Sequence, residues 1–245
     1  MDSTPPDARY ARHLALPGFD SSHQARLAGA RVVVVGAGGL GAPVIAYLAG
    51  AGVGHLTIVD DDRIERTNLQ RQVLFANPDQ GDLKAVVAAR RAWGINPTIA
   101  AEPVTTRLTP RTIGATLAGA TVVVDCSDNL PTRYLLQRCA LPMGIPVVWA
   151  AIGQYAGQCT VALPGGPCIE CLWGPEATVP PWPTAAEAGV FGPVCGVVGA
   201  LAAAETIKLL TGLGTPLVGR LALVDLLEPD VTLVPYAHSP RCGIC

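Results

Sequence analysis

Three groups of residues have types and spacings that could do chemistry. The first is Gly36-Ala37-Gly38-Gly39-Leu40-Gly41, which follows four consecutive valines, Val32 to Val35. Glycines between a buried strand and a helix supply a tight turn and let the backbone approach a phosphate at the helix N-terminus. A second β-rich run ends at Asp60, close to the spacing at which a βαβ nucleotide site places the carboxylate that binds ribose. Sites of this kind serve NAD, FAD and ATP alike, so the turn indicates a nucleotide without choosing one.

The second group is charged. The stretch from Asp60 to Gln72 is too polar for a core and leaves the carboxyl end of the second strand, so its polar residues, Asp62, Asn68, Arg71 and Gln72 among them, face the nucleotide; Asp61 and Arg63 are read as solvated. Asp82 to Trp93 has helical spacing, with Asp82 as its cap and Lys84 in the first turn, where a cation opposes the helix dipole unless an anion such as phosphate lies nearby. Val122 to Asp125 forms a buried strand that runs into Cys126-Ser127-Asp128-Asn129, placing Asp128 across the same sheet rim as Asp60. A carboxylate beside a triphosphate needs a cation between them, which makes Asp128 the Mg²⁺ ligand. Capping the following helix competes for Asp128, and Asn129 could fill that role instead.

The third group is two C-x-x-C pairs, Cys168/Cys171 and Cys242/Cys245. Together they supply four thiolates for a closed, structural Zn²⁺ site, the ion stapling residues far apart in the chain. Two redox pairs are the alternative, disfavoured because neither opens a helix after a strand. Cys126, Cys139 and Cys159 read as core thiols, and Cys195 lies in an apolar helical run.

These groups need an α/β scaffold. Residues 5–29 read as two short helices separated at Gly18, with Arg9 and Arg12 on a solvated face. Asn96-Pro97 ends the Lys84 helix, a strand covers 98–104, and Thr109 with Pro110 starts a helix to Leu117. Further strands cover 146–150, 157–163, 217–225 and 231–235. Residues 172–188, rich in proline and carrying Trp173 and Trp182, form a long crossover of the kind that serves as a lid or clamp. Residues 189–210 form an apolar helix, buried in the core or in a subunit interface. The expected fold is a Rossmann-like, mostly parallel sheet with antiparallel C-terminal strands.

Half of the residues are hydrophobic, enough for a sizeable core, and the net charge of −2 without a basic patch excludes nucleic acid or an anionic membrane as main partner. Glycines and Pro43 interrupt 32–59, and Glu205 and Lys208 follow 189–204, so neither stretch reads as a membrane span. The first residues lack a basic region followed by an apolar one, so the expected location is cytoplasmic.

Taken in order, Arg9-Tyr10-x-Arg12, the GAGGLG turn, Asp60-x-Asp62, Asn68-Leu69-Gln70-Arg71-Gln72, Lys84, Asn96-Pro97, Cys126-Ser127-Asp128-Asn129, Thr132-Arg133 and the paired cysteines resemble the ThiF/MoeB/HesA family, bacterial relatives of ubiquitin-activating enzymes. The resemblance covers nearly the whole chain. It implies one adenylation unit over 1–245, divided into N-terminal helices (1–29), a nucleotide-binding core (30–150) and a carrier-binding, zinc-stapled portion (151–245). It implies ATP-Mg²⁺, a ubiquitin-like sulfur carrier ending in Gly-Gly, an acyl-adenylate product with release of pyrophosphate, and a symmetric homodimer. Carried across by position, Gly39 and Gly41 approach the phosphates, Asp60 the ribose, and Asn68, Arg71 and Lys84 the phosphate chain. Asp128 holds the metal, and Arg12 reaches into the partner subunit's site.

One departure matters. Many members carry a cysteine four residues before the glycine matching Gly189, and here that position is Ala185, which removes a covalent acyl-enzyme there. The sequence ends at the paired cysteines, so the expectation is that the sulfurtransferase domain fused in some members is lacking, that the enzyme stops at the adenylate, and that sulfide or a separate persulfide-bearing protein makes the thiocarboxylate. Rival readings are an NAD-dependent dehydrogenase, which has no use for converging Arg71, Lys84 and Asp128, an inactive binding subunit, and an enzyme adenylating a short peptide.

Overall fold

A computed structural model of the chain describes residues 6–228 and 230–245; residues 1–5 and 229 lie outside the described part. Two short helices, α1 (Ala11–Leu14) and α2 (Ser21–Gly29), precede the first strand, with Asp20 capping α2 through the Ser22 and His23 amides. Strand β1 (Arg31–Val35), helix α3 (Gly41–Ala51) and strand β2 (His55–Val59) follow as the βαβ pattern requires. The inner valines of β1 are fully buried because helices cover both faces of a parallel strand.

Helix α4 (Lys84–Ile95), β3 (Ala100–Val104), α5 (Ile113–Leu117), β4 (Val122–Asp125) and α6 (Leu130–Ala140) complete the nucleotide half. After it come β5 (Val147–Gly153), β6 (Ala156–Ala162), α7 (Ile169–Trp173), α8 (Ala185–Ala188), α9 (Gly192–Thr211), β7 (Arg220–Asp225) and β8 (Asp230–Pro235). All eight strands form one sheet, ordered β3-β2-β1-β4-β5-β6-β7-β8. The first five are parallel, and β5 to β8 pair antiparallel. The chain turns from one side of β1 to the other between β3 and β4, and at such a switch point the strand ends leave a crevice.

Several boundaries differ from the sequence reading. Asp82 does not cap α4: Leu83 holds that position without a side-chain cap, because an isolated bridge between Arg63 and Leu83 keeps the preceding residues extended. Thr109 folds a turn with Thr112 and the helix proper begins at Ile113. The Asn96 side chain accepts from the amide and hydroxyl of Thr98, so β3 starts at Ala100. Val190 bridges to Gln154, which delays α9 to Gly192. Strand β7 starts at Arg220, after Gly219 turns the chain at a φ of 65°. Within the crossover stand three short helical pieces, the end of α7, a 3-10 turn over Glu176–Thr178, and α8.

By length and composition α9 could cross a membrane, yet it packs on α2, α3, β5 and β6, with Glu205 buried, accepting the Leu217 amide and paired to Lys208. It is a core helix. The glycine turn is equally constrained. Gly36 has a φ of 94°, open to glycine but strained for other residues, and a Cβ on Gly41 would lie 1.9 Å from the Gly36 carbonyl oxygen. Gly41→Ala is therefore expected to cost more than about 3 kcal/mol, read as an earlier urea midpoint, and an unchanged midpoint would contradict this packing.

Candidate active site

A cavity of about 750 Å³ opens over the carboxyl ends of β1, β2, β4 and β5. Its wall includes Gly36, Gly38, Gly39, Asp60, Asp62, Arg71, Gln72, Lys84, Asp128 and Asn129, so the fold gathers ten of the residues singled out in the sequence. Three others lie elsewhere. Gly41 closes the turn from beneath, against Gly36, rather than approaching a ligand. Asn68 is buried, and its Oδ1 accepts the Glu65 amide at 3.0 Å, which shapes the loop that presents Arg71. Arg12 is exposed on α1, away from the cavity.

Asp60 ties the second strand to the glycine turn. Its Oδ2 accepts the Ala37 amide at 2.8 Å and its Oδ1 the Asp62 amide at 2.9 Å. Burial raises its pKa above the usual carboxylate value, against the pull of those hydrogen bonds and of Lys84. Each oxygen keeps a second lone pair, so the group can still accept from a hydroxyl such as those of ribose.

Lys84 is 6% exposed, and its Nζ lies 2.8 Å from Asp62 Oδ2, the carboxylate that offsets a cation in the first turn of α4. Arg71 holds the carbonyl of Thr67 at 3.0 Å. Asn129 caps α6 by accepting the Thr132 amide at 3.0 Å, and this releases Asp128 from that role. The Asp128 carboxylate is exposed on the cavity wall with Asn129 Nδ2 at 3.3 Å, which leaves oxygens free for a cation. Gln72 is buried beside Gly38 and its Oε1 has no partner among the described residues, an unmet acceptor on the wall of a cleft. Backbone glycines, cations and a free carboxylate together suit a nucleoside triphosphate with its divalent cation.

Beyond reading the crossover as a lid or clamp, sequence reasoning gave no site role to the other parts of the wall. Thr106 to Leu108 follow β3 on the same rim, a placement that the strand-end rule could have supplied. Trp182 and Pro183 on the crossover close one side, with the Trp182 ring tilted 59° against Trp173 at 4.7 Å between ring centroids. Arg133 lies in the wall on the inward face of α6, a charged residue at a position where helical spacing calls for an apolar one. Cys126 also lines the cavity. Cys195 packs behind the glycine turn, where a Cβ on Gly39 would come within 2.7 Å of its sulfur, and burial pushes its thiol up to about 11, away from nucleophilic use at neutral pH.

The four paired cysteines meet beside α6, whose Gln137 accepts the Ile169 amide at 2.8 Å. Their sulfur atoms all lie within 4.8 Å of one another, with Cys168–Cys242 and Cys171–Cys245 at 3.4 Å and Cys242–Cys245 at 3.5 Å. Disulfide bonds of about 2.05 Å are excluded, and a tetrahedron with metal–sulfur bonds of about 2.3 Å has edges near these values. Backbone amides of Ser239 and Ile244 point at sulfurs from 3.3 Å, and Glu170, between the first two cysteines, accepts the amide of Gly243, between the second two, at 2.6 Å. The cluster could hold a metal ion.

The profile of the ThiF family matches residues 10–244. The chain belongs to the ThiF family. It is 47% identical to the SAMP-activating enzyme E1 of Haloferax volcanii, over 100% of this chain and 90% of that protein. It is 45% identical to the sulfur carrier protein adenylyltransferase of Thermus thermophilus, over 97% of this chain and 90% of that one. Among solved structures, MccB of E. coli with ATP has a TM-score of 0.84 at 27% identity, over 97% of this chain and 74% of MccB. The family assignment fits the α/β sheet and the cavity at its switch point.

Proposed function

We propose that this ThiF family member adenylates the C-terminal Gly-Gly carboxylate of a ubiquitin-like sulfur carrier, using ATP and releasing pyrophosphate. The convergence of Arg71, Lys84 and Asp128 on one cavity with the glycine turn carries this reading. A carboxylate oxygen of the tail attacks the α-phosphorus, the bond from that phosphorus to the bridging oxygen breaks, and pyrophosphate leaves with the electron pair. The attacking carboxylate is already ionised at neutral pH, so no general base is needed. Bringing anions together is the difficulty, and the enzyme's task is alignment and charge neutralisation.

Gly38 and Gly39 offer backbone to the phosphates, Asp60 holds the ribose, and Lys84 and Arg71 meet the phosphate chain. Asp128 would hold a Mg²⁺ ion, which when bound supplies positive charge to the phosphates. Carrier-dependent exchange of labelled pyrophosphate into ATP tests the reading: exchange with a Gly-Gly carrier supports it, whereas reduction of NAD or exchange with a short peptide alone would replace it. The higher identity to carrier-activating relatives, against 27% for MccB, favours the carrier over a peptide.

Within this reading the whole chain is one adenylation unit, since a single sheet runs through it. It works as a homodimer in which Arg12, exposed and distant from its own cavity, serves the partner's site; exposed Tyr47, Val86 and Trp93 on α3 and α4 give apolar surface for such an assembly. With Ala185 on the cavity wall the enzyme stops at the adenylate, and a separate sulfur donor follows.

The cysteine cluster holds structural Zn²⁺, and four reduced thiols suit the cytoplasm. Cys242→Ser should release the zinc and lower the melting temperature by about 5 °C or more, because each kcal/mol shifts it by about 2–4 °C at this size. A zinc-loaded protein with an unchanged melting curve would count against a structural site.

A further inference from the structure

The site described so far treats the rim carboxylate and the crossover as separate parts, yet one buried side chain touches both. Arg133 is 2% exposed. Its Nη1 donates to the Ala150 carbonyl at 2.7 Å and its Nη2 donates to the Ser127 carbonyl. The guanidinium lies over Trp149 at 5.2 Å and over Trp182 at 5.6 Å from the ring centroids. Ser127 immediately precedes Asp128. Ala150 immediately precedes the residues of β5 that floor the cavity, and Trp182 is the aromatic of the crossover that walls it.

A buried ion pair with Asp125 is present but makes no hydrogen bond, so it does not by itself account for this placement. Asp125 Oδ2 is 3.7 Å from Arg133 Nη1, beyond hydrogen-bond range, while Asp125 Oδ1 is taken by the amide and hydroxyl of Ser127 at 2.9 and 2.6 Å. Asp125 Oδ2 and Arg133 Nε have no hydrogen-bond partner among the described residues. Burying a guanidinium costs several kcal/mol, and an apolar side chain of similar volume often serves stability as well or better. What an apolar residue cannot do is donate to a carbonyl of β5 and to a carbonyl of the loop after β4 while presenting a cationic group to two indole rings.

We propose that Arg133 is a positioning residue that fixes the Asp128 loop and the Trp182 wall with respect to one another, so that the metal-bearing and substrate-bearing halves of the cavity share one buried anchor. The kinetic part of the proposal rests on reading the cavity as the adenylation site. Arg133→Lys keeps the charge but loses the fork and the planar face. Trp182→Leu removes only the crossover contact, and Trp182→Phe keeps an aromatic face for it.

Hydrogen exchange on the full chain reads the anchor directly. Arg133→Lys is expected to speed exchange by about 10-fold or more both in 126–129 and in 179–190, and Trp182→Leu only in 179–190. In pyrophosphate exchange, Trp182→Leu should raise KM for the carrier about 10-fold with little change in kcat, Trp182→Phe should restore it, and Arg133→Lys should also lower kcat about 10-fold. Wild-type exchange in 126–129 together with unchanged kcat in Arg133→Lys would overturn the proposal. Should that variant not fold, the two Trp182 variants decide: failure of leucine to speed exchange in 179–190, or of phenylalanine to reverse it, would overturn it as well. The exchange measurements need no carrier. A wild-type protein without carrier-dependent pyrophosphate exchange would therefore refute the functional reading and leave the anchor to be judged separately.

Discussion

Asp128→Ala is expected to abolish carrier-dependent pyrophosphate exchange, with a loss of at least about 10²–10³-fold, while the protein stays folded and binds zinc at its cysteine cluster as well as the wild type does. The expectation follows from the division of labour at the end of β4. Asn129 caps α6, and the Asp128 carboxylate, exposed on the cavity wall, contributes little to stability. Removing it leaves the strand, the helix and the cysteine cluster in place. It deletes the anionic group that would seat a divalent cation against the phosphates. Melting curves, zinc content and exchange rates measured on one preparation check the claim, and retained exchange in a folded variant would refute the assignment of Asp128.

Lys84→Met comes second, with exchange expected to fall by about 10²–10³-fold. The stability cost should be small, because Asp62 is mostly exposed and is left in water rather than stranded in the interior. Methionine preserves much of the buried stem. A large drop in melting temperature, or exchange within a few-fold of wild type, would show that Lys84 serves packing rather than phosphate. The contrast between intact stability and lost activity is the informative quantity, since a damaged fold would lower both.

Much of this site is legible in the chain because its chemistry is local. Four valines running into a glycine turn specify a buried strand and the start of a helix, and Asp128 at the end of another valine run must lie on the same rim. Two C-x-x-C pairs announce a tetrathiolate even though the sequence between them is long. Roles that depend on which side of a backbone is crowded are not legible. Gly38 and Gly41 look alike in sequence, yet the first lines the cavity and the second is required by the 1.9 Å approach that any Cβ there would make to Gly36. Asn68 sits in a polar run whose neighbours face the cavity, but its Oδ1 accepts the Glu65 amide within its own turn. Asp82 and Thr109 carry cap-forming side chains, yet the helix caps fall at Leu83, held extended by its bridge to Arg63, and at Thr112, which shares a turn with Thr109. Arg133 was hidden because its partners are two carbonyls and two indoles drawn from separate segments.

The pairing of Lys84 with Asp62 has a consequence for how nucleotide would be admitted. A lone ammonium ion in that cleft would attract any small anion in the cell, and inorganic phosphate is abundant. With a carboxylate already seated 2.8 Å away, a newcomer must outcompete an intramolecular rival. A single phosphate brings little more charge than the group it displaces. A triphosphate reaching the glycine turn and Arg71 at the same time brings much more, so the resident carboxylate acts as a threshold that selects for length of the polyanion.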